Sequence, residues 1–258
     1  MPDTKGETEL LRRRFEELAQ RAYKTGLYCY TEFLSTAEQA LLISMKKQLE
    51  YASFSLWGGV EACERRMAAF GSAELCGGEP EWPQCCLLVS PRSRRFAETL
   101  GHRDYLGALM NLGIERGVVG DIVVRDEGAY LFCTGGIAPF IADNLEQIKH
   151  TSVFCTYADS LPEGELYSRH AETVQVSSPR ADALVSRAYK LSREASLELF
   201  RAKKVFINSA LCENNSRTLE TEDIVSVRGY GRFAFCGVQN TSKKGKLNVR
   251  IEKFGDGV

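Results

Sequence analysis

The sequence predicts an α+β protein of three successive parts, on three observations: apolar residues at helical spacing near its start, strand-like and helix-like runs alternating in its middle, and a cation-rich final third. At 258 residues, with 44% hydrophobic and 26% charged side chains, it is long enough for two or three small domains with cores of their own. The formal net charge of −1 conceals an asymmetry: from Arg180 onward 15 Lys and Arg face 9 Asp and Glu, an excess of +6, while the remainder carries −7. A polyanionic partner is therefore expected at that end and not at the other.

Leu10, Leu11, Phe15, Leu18 and Ala22 recur at helical spacing, with Arg12, Arg13, Arg14, Glu16 and Glu17 on the other faces. A second helix follows, capped by Ser35 or Thr36, with Glu38 in its first turn and Ala37, Leu41, Leu42, Met45 and Leu49 as its buried stripe. Residues 52–57 read as a short strand, Gly58-Gly59 as a turn, and 60–70 as a further helix. Residues 1–76 thus form a mainly helical N-terminal domain. The breakers Gly77, Gly78, Pro80 and Pro83 mark its end.

Residues 82–160 read as strand 84–89, helix 94–112 with a break at Gly101, strand 121–125, strand 129–134, helix 137–149 and strand 152–157. The order β-α-β-β-α-β is the split βαβ plan of a ferredoxin/RRM-like domain, and Asp126-Glu127-Gly128 supplies the tight hairpin it needs. Tyr130 and Phe132 share one strand face, where core packing is favoured over base stacking because the run lacks the basic residues and glycines of an RNA-binding signature. Residues 159–178 are polar, contain turn formers and read as a linker.

Residues 177–258 make the final domain. One amphipathic helix begins at Arg180 and buries Leu184, Val185 and Ala188; Ser192 caps a second, 193–201, with Glu194 in its first turn. Lys203-Lys204 close the pair, 205–208 make a strand, and Glu222-Asp223 lead into another at 224–227. Arg180, Arg187, Lys190, Arg193, Arg201, Lys203 and Lys204 fall within some 25 residues on two short helices, so several can meet phosphates from one side. Further on, Arg228-Gly229-Tyr230-Gly231-Arg232 offers phosphate-holding guanidiniums and a stacking ring, and Lys243-Lys244-Gly245-Lys246 more charge.

Several functions find no seat. The nine cysteines are scattered, odd in number and set in apolar runs, which fits buried free thiols rather than disulfides. Without a Cys-x-x-Cys pair, and with only His102, His150 and His170 far apart, no metal site is expected. Phosphate-loop, dinucleotide and nucleophile-elbow glycine motifs are missing, and so is any cofactor signature. His102-Arg103-Asp104 lacks the companion asparagine and the Asp-Phe-Gly of a kinase. Instead Asp104 is expected to cap a helix with His102 and Arg103 exposed at its start, a possible second RNA or partner site. No apolar run suits a membrane-spanning helix and no signal peptide is read, so a cytoplasmic location is expected.

Arg180-x-Asp182, Ser192-Arg193, Val205-x-Ile207-Asn208 and Asp223-Ile224-x-x-Val227 occur in the order found in the S4 (αL-motif) RNA-binding domain, which this region resembles over about 50 residues. That pattern often has glycine where Lys203, Ser209 and Glu222 stand here. With Arg228-Gly-Tyr-Gly-Arg232, His102-Arg-Asp-Tyr-Leu-Gly-Ala108 and Gly120-Asp121-Ile-Val123, the whole chain looks like the YlmH family of bacterial S4-domain proteins. The resemblance implies a non-enzymatic binder of ribosomal RNA and tRNA on the large ribosomal subunit, acting on stalled translation, in a family also associated with cell-division gene clusters. It implies RNA contact by the cations above together with Ser192, Asn208, Tyr230, Lys243 and Lys244, with no DNA or membrane partner. The rival expectations are an RNA-modifying enzyme, of pseudouridine synthase or methyltransferase type, that docks through the S4 domain, and a protein-interaction scaffold suggested by the acidic first two-thirds.

Overall fold

The structure is a computed structural model that describes residues 4–61, 63–158, 169–208, 210–242 and 245–255. The chain is α+β and divides into two compact units, Met1–Leu166 and Tyr167–Val258, rather than three.

The first unit opens with helix α1 (Thr4–Thr25), whose Phe15, Leu18, Ala19 and Ala22 face inward. Strand β1 (Cys29–Tyr30) leads to α2 (Thr36–Ser44). Of the two expected caps it is Ser35 that serves: its hydroxyl accepts from the Glu38 N–H at 3.4 Å while Glu38 accepts from the Ser35 N–H at 2.6 Å, a reciprocal box that satisfies two end donors. Strands β2 (Phe54–Trp57) and β3 (Met67–Phe70) form the sheet β1-β3-β2, and the one-turn α3 (Ala73–Cys76) ends at left-handed Gly77. The helix expected over 60–70 is therefore a loop followed by a central strand. Met67, Ala68, Ala69 and Phe70 are all buried between two neighbours, and so short an apolar run carries no period that separates strand from helix.

Next come β4 (Gln84–Pro91), α4 (His102–Asn111), β5 (Val119–Arg125), β6 (Gly128–Thr134), α5 (Ala138–Asn144), β7 (Gln147–Ile148) and β8 (Thr151–Tyr157). The sheet order is β5-β6-β4-β8-β7 with every pair antiparallel, the order that β-α-β-β-α-β connectivity gives, extended by one short edge strand. The long helix expected over 94–112 is a single 3-10 turn at Arg94–Phe96 and then α4, starting after Gly101. That expected over 137–149 stops at Asn144; Gln147–Ile148 form β7 instead, and Lys149, at φ 51°, turns it into β8.

The N-terminal and middle stretches share one unit for a visible reason. Asp121, 8% exposed on β5, accepts the Glu64 N–H at 2.6 Å and the Arg65 N–H at 2.9 Å. The Arg65 guanidinium donates to the carbonyls of Phe33, Val119 and Arg116. Gly59 lies so near Phe132 that a Cβ there would stand 2.4 Å from the ring, which only glycine tolerates.

The second unit starts before its expected first residue, 177. Strand β9 (Arg169–Val176), read as part of a linker, pairs along its whole length with the last strand. The rest of that linker, 159–168, lies outside the described residues. Helices α6 (Ala181–Ala188) and α7 (Arg193–Arg201) follow, then β10 (Val205–Ile207), β11 (Ala210–Leu211), β12 (Ile224–Val227), β13 (Gly231–Thr241) and β14 (Leu247–Phe254), in the order β11-β10-β12-β13-β14-β9. Leu184, Val185, Leu199 and Phe200 close onto Val225, Phe233, Phe235, Val249 and Ile251.

Two of the positions where the resembled pattern favours glycine are left-handed here, Lys203 at φ 55° and Glu222 at φ 73°; Ser209 lies outside the described residues. A Cβ in that region is costly, so Glu222→Gly is expected to stabilise the unit by about 0.5–1 kcal/mol after the added freedom of the unfolded chain is subtracted. A melting curve shifted up by a few degrees checks it, and a lower midpoint counts against it.

Candidate nucleic-acid interface

The helix pair is set by polar brackets. Asp182, 4% exposed in the first turn of α6, accepts from Arg180 Nε at 3.1 Å and Nη2 at 2.8 Å, from the Ala183 N–H at 2.9 Å and from Asn215 Nδ2 at 3.1 Å. Its carbonyl receives the buried Ser196 hydroxyl of α7 at 2.8 Å. Ser192 caps α7 by accepting the Ala195 N–H, and Ser186 donates to the Leu191 carbonyl between the helices. These residues fix the corner between α6 and α7.

Beside that corner is a hollow of about 350 Å³, lined by Arg180, Asp182, Arg187, Arg193, Gln175, Ser177, Ser178, Ser186 and Lys246. A second, of about 370 Å³, shares Gln175, Arg187 and Lys246 and continues toward Glu172. The strand register explains its walls: Leu247 is opposite Val176, so Lys246 falls next to Ser177, across from α6. Arg187, Arg193 and Lys246 are exposed, and none forms an ion pair with a described residue. Arg180 differs, for its guanidinium is forked onto Asp182.

Three of the expected cations, Arg180, Arg187 and Arg193, therefore meet at one hollow. The others do not line it. Lys190 is exposed in a left-handed turn after α6. Arg201 faces Glu198 at 3.4 Å and Lys203 faces Glu213 at 2.9 Å, both in solvent. Lys204 and Arg228 are exposed and joined through their backbones at 2.9 Å. Tyr230, 45% exposed, leans on Tyr189 with ring centres 5.5 Å apart, and Arg232 lies over the Phe254 ring at 4.4 Å. Asn208 is bound on both ends, donating to Asp223 Oδ1 at 2.7 Å and accepting the Ile224 N–H at 2.9 Å, so its amide braces a turn. Ser192 is likewise occupied as a cap. Lys243 and Lys244 lie outside the described residues. Lys246, Gln175, Ser177 and Ser178 were not among the expected residues; the Lys-Lys-Gly-Lys run was the one signal pointing at Lys246.

In the first unit, His102 and Arg103 are exposed at the start of α4 as expected. The cap itself is Gly101; Asp104, three residues further in, accepts the Gly101 N–H at 2.9 Å and faces Lys149 Nζ at 2.8 Å. The Lys149 bond and the Gly101 N–H hold its carboxyl below the usual range. Crowding and Arg116 press the His102 imidazole down, and burial with Arg65 close by pushes Arg116 down to about 10. Tyr130 and Phe132 are both buried, and Gly59 rests on the Phe132 ring, which closes that part of the sheet to a stacking base. Arg92, Arg94 and Arg95 are exposed just past β4, a basic cluster that sequence reasoning passed over.

The fold and site define an α+β protein whose C-terminal unit presents a cation-walled hollow on a helix corner. Residues 87–160 match a family described as "Putative RNA-binding domain in YlmH". The chain is 27% identical over 246 residues to the ribosome-associated protein quality control protein P2 of Bacillus subtilis, covering 93% of this chain and 91% of the relative. These matches make the chain similar to the YlmH family along most of its length. A solved structure, the cell division protein ylmH from Streptococcus pneumoniae, aligns at a TM-score of 0.48 with 21% identity, over 59% of this chain and 91% of that one.

Proposed function

We propose that this is a non-catalytic, cytoplasmic RNA-binding protein that recognises structured RNA through its C-terminal unit, read as an S4 domain, with a ferredoxin-like sheet preceding it. Its partners are ribosomal RNA and tRNA on the large ribosomal subunit, and its task is the handling of stalled translation. The observation that carries the reading is the convergence of Arg187, Arg193 and Lys246, without ion pairs to described residues, on a hollow beside the α6–α7 corner. Cations that are not already neutralised are the ones that release counterions when they meet phosphates. The RNA-binding description of the family matched by residues 87–160, in the first unit, and the ribosome-associated name of the relative support RNA binding by the protein as a whole, while the C-terminal placement rests on the cations of the hollow. Among the described residues no helix is long and apolar enough to cross a membrane.

Six exposed cations of the unit, Arg187, Lys190, Arg193, Lys204, Arg228 and Lys246, have no ion pair with a described residue. If five or six of them meet phosphates, log K against log salt falls with a slope of about −4 to −5. Titration of a labelled ribosomal RNA fragment at several salt concentrations measures this, and a flat response contradicts the reading.

A further inference from the structure

We propose that the hollow beside α6 holds one nucleotide displaced from an RNA helix, by its phosphate and ribose rather than its base; this rests on the RNA-binding reading above. Its shape is the first reason. A duplex presents its phosphates on a convex surface, which a flat or gently curved cationic face meets; a half-open hollow of about 350 Å³ is instead at the small-molecule scale. A single residue turned out of the stack brings its phosphate and sugar into such a space, as a smooth helix does not.

The second reason is where the charge comes from. Arg187 stands on α6, Arg193 at the first position of α7 and Lys246 just before β14, so three separate elements aim cations at one volume. Asp182 cancels little of it, because its carboxylate is taken up by Arg180, the Ala183 N–H and Asn215.

The third reason concerns what reads the ligand. Ser177, Ser178 and Gln175 supply short donors and acceptors suited to a ribose hydroxyl, while among the described residues no aromatic ring lines the hollow. Stacking is the usual means by which proteins hold an unpaired base. Without it, the site accepts any base.

The test uses the full-length protein and two labelled hairpin RNAs that differ by a single bulged nucleotide, followed by fluorescence anisotropy. The bulged hairpin is expected to bind about fivefold or more tightly, with the same preference whichever base is bulged. In the double variant Arg187→Gln/Lys246→Gln, at two exposed positions and checked by an unchanged melting curve, the preference disappears and the two hairpins bind alike. Equal binding of both hairpins by the wild-type protein overturns the inference and leaves RNA binding itself intact. So does a preference that follows the identity of the bulged base, or one that survives the double variant. Binding of neither hairpin, nor of the ribosomal fragment, at low salt instead overturns the functional reading on which it rests.

Discussion

Asp182→Ala is expected to lower the stability of the C-terminal unit by about 2–3 kcal/mol. The carboxylate accepts from four donors and is 4% exposed, so its removal strands the Ala183 N–H and the Asn215 amide away from water. The Arg180 part of the loss is smaller than for a sealed pair, since that side chain is 36% exposed and can turn outward to solvent. For a unit of this size the midpoint of thermal unfolding should fall by roughly 10–20 °C. RNA affinity should drop with it even well below the midpoint, because Arg180 and the α6–α7 corner lose their anchor next to the hollow. Circular dichroism melting and anisotropy at 15 °C report the two effects separately. A variant that melts normally would show that the bracket around Asp182 is dispensable.

The same region shows what a sequence discloses and what it withholds. Helix α7 begins where expected, because a cap is a local device: Ser192 and the Ala195 amide are three residues apart and the pattern is visible in a short window. Strand β9 reads as a linker in the sequence, because as an edge strand it buries little beyond Val174 and Val176 and fills its other places with Arg169, His170, Glu172, Thr173 and Gln175. Its identity comes from eight pairings with β14, some eighty residues further on, which no local signal carries. The hollow inherits that difficulty. Arg187 and Arg193 were legible as part of a charged helix pair, but Lys246 joins them only through the β9–β14 register. Asn208 shows the converse error: the amino-acid type suits RNA, yet Asp223 and Ile224 absorb both ends of its amide. The loop before β3 escapes a local reading for a related reason, because its shape is dictated by Asp121, nearly sixty residues away.

That loop gives the second large effect. Asp121→Ala should destabilise the first unit by about 3 kcal/mol, because two backbone N–H groups lose their acceptor while the half-buried Arg65 and Arg116 guanidiniums keep their charge beside them. Asp121→Asn tests the cause. Its amide has one oxygen to accept and an NH2 that must face the other N–H donor, so it should recover less than half of the loss despite nearly equal volume. For the larger unit a loss of about 3 kcal/mol corresponds to a midpoint lower by roughly 6–12 °C. The local readout is sharper: hydrogen exchange at the Glu64 and Arg65 amides should accelerate by about two orders of magnitude, while the amides of α6 and α7 keep their protection. Under the proposed C-terminal interface, RNA affinity at 15 °C should move by less than about twofold, since the cations proposed to release counterions stand in the other unit; a larger drop would place RNA contacts in the first unit, where residues 87–160 match the RNA-binding family. If both substitutions left the Glu64 and Arg65 amides as slow as before, the loop would have to be held by the Arg65 guanidinium and its three carbonyl partners alone, and Arg65→Met would become the destabilising change in its place.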